Sequence, residues 1–119
     1  MQTRRLATAL AAALTILAIA ATAALASGWH VVKSKSASGD FAVTAIDATI
    51  HHPHRIAVRL TGGSGDAVWA CDKGYSVSSY SRQYGPGLHQ LPHVRGKDSC
   101  DVTASVGGEG RVRVQILKR

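Results

Sequence analysis

Ser99-Cys100-Asp101-Val102-Thr103-Ala104-Ser105-Val106-Gly107-Gly108-Glu109-Gly110-Arg111-Val112-Arg113-Val114-Gln115-Ile116 is the stretch that decides the fold. Cys100, Val102, Ala104 and Val106 alternate with Asp101, Thr103 and Ser105. Val112, Val114 and Ile116 alternate with Arg111, Arg113 and Gln115. A period of two is the mark of a half-buried strand, because successive side chains point to opposite faces. The glycines between the two runs predict a hairpin. Working outward, Trp69-Ala70-Cys71 has the same alternation and holds the other of the two cysteines. Both cysteines sit on inward parities, so a disulfide between Cys71 and Cys100 is expected. It would close a loop of about 30 residues, worth roughly 3–4 kcal/mol in the chain-entropy model.

The rest of the chain repeats the pattern. Trp29-His30-Val31-Val32 opens a first edge strand, and Ser36 to Asp40 reads as a turn. Phe41, Val43 and Ala45 share one face. The apolar set then shifts parity to Ile46, Ala48 and Ile50, which implies either a bulge or two separate strands. Pro53 in His51-His52-Pro53-His54 marks a loop or an edge. Ile56, Val58 and Leu60 alternate with Arg55, Ala57, Arg59 and Thr61. Gly62 to Asp66 is a turn, and Lys73 to Gly87 is a segment rich in Ser, Tyr and Gly, part of it strand. Leu88 to Leu91 is a short strand ended by Pro92. About seven or eight short strands with glycine-rich turns and no helical period mean an all-β fold. One-faced strands are best satisfied by a small antiparallel β-sandwich, immunoglobulin-like or related, with a small barrel as the alternative. Trp69 precedes the first cysteine on its own strand, unlike the antibody pattern.

The first residues carry a different message. Arg4 and Arg5 precede an apolar run from Leu6 to Leu25, and Ala24-Leu25-Ala26 is an A-x-A cleavage site. These are the parts of a secretory signal peptide, residues 1–26. A retained N-terminal anchor is the alternative, since the run is long enough to span a bilayer. Cleavage of 26 of the 119 residues leaves 93, a β domain over residues 27–119 with a marginal core. The formal charge falls from +7 to +5 as Arg4 and Arg5 leave. The expected localisation is extracellular, with no membrane span once the signal is cleaved.

Several segments in order resemble a known group. They are Trp29-His30-Val31-Val32-Lys33-Ser34, Phe41-Ala42-Val43, Val68-Trp69-Ala70-Cys71-Asp72-Lys73-Gly74, Asp98 to Ser105, and Gly110 to Leu117. This order resembles short secreted actinobacterial single-disulfide proteins of unknown function. The resemblance spans most of the 27–119 segment and implies a secreted β domain with one disulfide. It carries over no catalytic or binding residue.

Candidate chemistry is sparse. His51, His52 and His54 lie close together, but a tight metal site normally takes four ligands, and a solvated polar loop is the expectation. Ser64 lacks the spacing of a nucleophile elbow. Glu109 is the one glutamate, and no pair of carboxylates is placed for acid–base work. No enzymatic activity, metal or cofactor is expected. Tyr75, Tyr80 and Tyr84 offer either rings for stacking on sugars or filling for the core. Arg55, Arg59, Arg111 and Arg113 share the outward parity of their strands. They form either a solvated face that blocks aggregation or a patch for anions. The expected function is a secreted, non-enzymatic module binding an anionic or carbohydrate cell-surface polymer, with nucleic acid not expected as a partner. The rival is a secreted inhibitor of an extracellular hydrolase, acting through the Tyr75 to Pro92 segment.

Overall fold

The 99–118 stretch is one strand, not a hairpin. In the computed structural model, which describes residues 28–119, six strands follow in order: β1 (His30–His51), β2 (Ile56–Thr61), β3 (Gly65–Lys73), β4 (Ser76–Tyr84), β5 (Gly87–Gln90) and β6 (Ser99–Lys118). The expected signal segment 1–26 lies outside the described residues. Antiparallel pairing runs β4-β3-β6-β2-β5, and β1 also pairs with β6. The first half of β6 is held by β3, with Cys71 opposite Cys100 and Ala67 opposite Ala104. Its second half is held by β2, with Ile56 opposite Lys118 and Thr61 opposite Arg113.

A single core receives both halves. Cys100, Val102, Ala104 and Val106 are buried together with Val112, Val114 and Ile116, as the alternation predicts. Ile56, Val58 and Leu60 from β2, and Ala67, Trp69 and Cys71 from β3, fill the same cluster. A sheet with one buried face can serve one core from both ends of a strand only by curling over on itself. The result is an all-β, antiparallel, curled half-barrel sheet in place of seven or eight short strands.

The curl has a visible cause in the glycines. Gly62, Gly63 and Gly65 press their backbones against those of Arg111, Gly107 and Ser105 respectively. A methyl group on any of the three would collide with the facing carbonyl oxygen. Ser64 and Gly107 exchange backbone hydrogen bonds of 3.1 and 2.8 Å there. Gly62 and Gly110 have φ of +80° and +84°, which side chains resist. So Gly107 to Gly110 bend β6 without reversing it.

β1 bends as well. It runs unbroken through the Ser36 to Asp40 segment that reads as a turn in the sequence. Its halves come close enough for Lys33 and Asp47 to form a 3.9 Å ion pair. The expected parity shift is absent. Ala42, Thr44, Ile46 and Ile50 are all buried on one face, and Phe41 and Val43 are exposed.

The disulfide joins Cys71 to Cys100 across directly paired positions, with a Cα–Cα distance of 4.1 Å. Trp69, buried two residues away, stacks on Tyr80 with ring centroids 5.6 Å apart. Its indole N–H donates to the Pro92 carbonyl at 3.0 Å. Next to the bridge, the Asp72 carboxylate accepts from the Ser99 hydroxyl at 2.8 Å and the Ser99 amide at 3.0 Å. The Ser99 hydroxyl is the main reason that the Asp72 carboxyl lies below its ordinary value. A native value below the unfolded one means that this clasp stabilises the fold at neutral pH. Its contribution fades as the pH falls through the native value. Ser99→Ala is therefore expected to lower stability at pH 7 and to flatten the acid limb of the stability curve. Denaturant midpoints measured between pH 7 and pH 2 check this.

Candidate functional site

The β2–β6 ribbon decides which of the sequence-selected arginines meet. Arg59 lies opposite Gln115, and Thr61 opposite Arg113. Arg59 and Arg113 are therefore diagonal neighbours on the face turned away from the core, about 7–8 Å apart at the backbone. Arg111 follows two residues before Arg113, at the point where Gly62 lets the two backbones touch. Arg113 donates through Nε–H to the Ser36 hydroxyl of β1 at 3.3 Å. Ser36, Thr61, Arg111, Val112 and Arg113 together line a groove of about 330 Å³. Among the described residues, no carboxylate forms an ion pair with Arg59, Arg111 or Arg113, whereas Lys33 pairs with Asp47.

Arg55 stands apart. Its amide and carbonyl exchange backbone hydrogen bonds with Arg119, at the opposite end of the ribbon. Six residues of strand separate it from Thr61, about 20 Å. Between the two ends, Ala57 and Leu117 are direct partners and both are buried. The single basic face expected from parity is thus two clusters. Arg59, Arg111 and Arg113 gather at the groove, and Arg55 sits with Lys118 and Arg119.

The groove is chemically suited to an oxyanion. Two guanidiniums offer paired donors in planar forks, and two hydroxyls add single donors. Ser36 and Thr61 were not selectable from the sequence as site residues. Ser36 sits in a segment that reads as a turn, and Thr61 closes an ordinary strand.

The tyrosines do not converge. The Lys73 to Gly87 segment is mostly strand, with β4 paired to β3 from Lys73–Ser76 to Gly65–Tyr84. Tyr75 is fully exposed in the turn before β4. Tyr80 lies between Trp69 and His93, its ring 4.8 Å from the imidazole. Tyr84 stacks on His89 at 4.5 Å, and its buried hydroxyl has no hydrogen-bond partner. Tyr80 and Tyr84 both pack against the core. A second, larger groove of about 460 Å³ runs along Ser64, Gly65, Asp66, Gln83, Tyr84 and Gly85. Its one charged side chain is Asp66, so it has no donor fork for an anion. In the His51 to His54 loop, His52 adopts a φ of +48° and its amide donates to the Asp98 carbonyl at 2.8 Å. Among the described residues no three His, Cys, Asp or Glu side chains converge as metal ligands.

No family model matches the chain, and no curated protein matches it significantly. Several solved structures are distantly similar, and two of them illustrate the likeness. One is the C-terminal domain of A223, a structural protein from Sulfolobus turreted icosahedral virus. The similarity has a TM-score of 0.45 at 11% identity, covering 76% of this chain and 98% of that one. The other is TmCBM61 in complex with β-1,4-galactotriose, with a TM-score of 0.40 at 12% identity, covering 76% and 88%.

The placement of Tyr80 has a measurable consequence. Tyr80→Ala removes a ring stacked on two others and is expected to lower stability by about 1–3 kcal/mol. Because Tyr80 packs on Trp69 and His93 and does not line the Arg111–Arg113 groove, anion binding by the folded variant is expected to match the parent. Chemical denaturation and a binding titration with the same preparation check both halves.

Proposed function

We propose that the protein is a secreted, non-enzymatic β module that binds an anionic cell-surface polymer through the Arg111–Arg113 groove. The observation that carries this reading is the convergence of Arg111, Arg113, Ser36 and Thr61 on one groove, with no carboxylate among the described residues paired to either guanidinium. A polymer with repeating phosphates or carboxylates would place one anion in the groove and a neighbouring one near Arg59. In this reading the curled sheet is a two-layered, sandwich-like scaffold, and the bend in β6 places the groove on its outer surface. The rival reading, an inhibitor acting through Tyr75 to Pro92, asks for a protruding adaptable loop. Ser76–Tyr84 is instead paired strand.

Attraction of this kind is weak and salt-dependent, since exposed charges are screened over about 8–10 Å in physiological salt. Two exposed guanidinium contacts of up to about 1 kcal/mol each amount to at most about 30-fold in affinity. The mature domain is expected to be retained on purified anionic wall polymer at low salt and released at high salt. An Arg111→Gln, Arg113→Gln double variant is expected to bind about 5- to 30-fold more weakly. Retention indifferent to both salt and substitution would exclude the electrostatic mechanism.

A further inference from the structure

The groove has an apolar neighbour that an anionic polymer leaves unexplained. Phe41 is 71% exposed and Val43 62% exposed, although Ala42 and Thr44 between and beside them are buried. They point the same way along β1, two residues apart. Both lie over Gly107: a side chain at that position would meet Val43 Cγ2 at 3.5 Å and Phe41 Cζ at 3.7 Å. Gly107 is four residues before Arg111 on β6, at most about 14 Å along the strand. On β1, Phe41 follows five residues after Ser36, whose hydroxyl holds Arg113. An aromatic ring, a branched aliphatic and two guanidiniums thus share the glycine-bent end of the sheet. The carboxylates at the bends of β1 and β6 are Asp40 and Glu109, both exposed.

We propose that this end of the domain docks on an anionic phospholipid surface, with headgroup phosphate in the Arg111–Arg113 groove and Phe41 and Val43 in the interfacial layer. The proposal rests on the reading of the groove as an anion site and names a lipid surface as a partner of that site. A soluble polyanion would satisfy the guanidiniums and leave Phe41 and Val43 facing water. A bilayer surface satisfies both, because it presents phosphates and, a few ångströms deeper, an apolar boundary where aromatic rings are favoured. Membrane affinity at an interface grows with buried apolar area and with electrostatic attraction to anionic lipids, and this end of the domain offers both. Among the described residues no helix is long and apolar enough to cross a membrane.

The test is sedimentation of the mature domain with vesicles of phosphatidylglycerol or of phosphatidylcholine at low salt, beside retention on soluble wall polymer. The parent is expected to sediment with phosphatidylglycerol and not with phosphatidylcholine. A Phe41→Ser, Val43→Ser double variant changes exposed positions, so its thermal midpoint is expected to stay within a few degrees of the parent. Its affinity for phosphatidylglycerol vesicles is expected to fall about tenfold, with polymer retention unchanged. Arg111→Gln, Arg113→Gln is expected to weaken both. Asp40→Ser and Glu109→Gln are expected to tighten vesicle binding. If the apolar double variant sediments like the parent, or the parent itself does not sediment while polymer is still held, the lipid inference is overturned and the groove reading stands. Absence of both polymer and vesicle binding by the parent at low salt would overturn the groove reading itself. A concentration-dependent dimer abolished by the apolar substitutions, with no sedimentation, would assign the patch to a second copy and overturn the lipid inference.

Discussion

Backbone meets backbone where Gly62 to Gly65 cross Ser105 to Arg111, and the rest of the structure depends on that contact. Backbone hydrogen bonds normally hold neighbouring strands about 4.8 Å apart, with side chains projecting from the faces, and a sheet twists only gradually. Here the facing carbonyls occupy the space that Cβ atoms would need. The two strands can therefore bend together, and β6 can carry one set of inward side chains to β3 and another to β2. Without the bend, the same alternation would make a long flat ribbon with a single apolar face and nothing to cover it. With it, the apolar face covers itself.

The disulfide and the aromatic stack secure one side of the curl. Cys71–Cys100 links β3 to the first half of β6, and Trp69 and Tyr80 continue the packing toward β4 and His93. The second half of β6 has no covalent tie and relies on its pairing with β2. β1 pairs with β6, and this brings the Ser36 hydroxyl to Arg113. The groove is thus a by-product of folding one sheet over. Arg111 lies at the crossing itself, and Arg113 at the first regular pair beyond it.

Much of this was legible in residue order, and the failures share a physical origin. Alternation identified the inward faces of β2, β3 and β6, and the two cysteines identified their own partner. Glycine clusters were less informative. Glycine signals a backbone that needs room or an unusual φ, and a reversal is only one way to use that freedom. Gly107 to Gly110 use it to bend, so the expected hairpin became one strand. The Ser36 to Asp40 segment likewise bends within β1. Ser-rich β4 has weak intrinsic strand preference, yet residue-by-residue pairing with β3 overrides it. Phe41 and Val43 read as candidates for a buried face because they are apolar; their exposure follows from the parity of Ala42 and Thr44, which no single-sequence pattern settles. At the groove, Arg111 and Arg113 were selectable from parity, and Arg59 joins them through the register. Arg55 departs from the group because parity says which face a residue takes and nothing about how far along the strand its neighbour lies.

The account stands on anions entering the groove beside the glycine bend. The most direct measurement is a titration of the isotope-labelled 27–119 segment with inorganic polyphosphate, followed by amide and arginine side-chain NMR shifts. The account predicts salt-sensitive shifts concentrated at Ser36, Thr61 and Arg111 to Arg113, with Nε of Arg113 among the most affected. Shifts centred on Tyr80 and His93, on the Asp66–Gln83 groove, or on Arg55 and Arg119 with the Arg111–Arg113 groove silent, would contradict it.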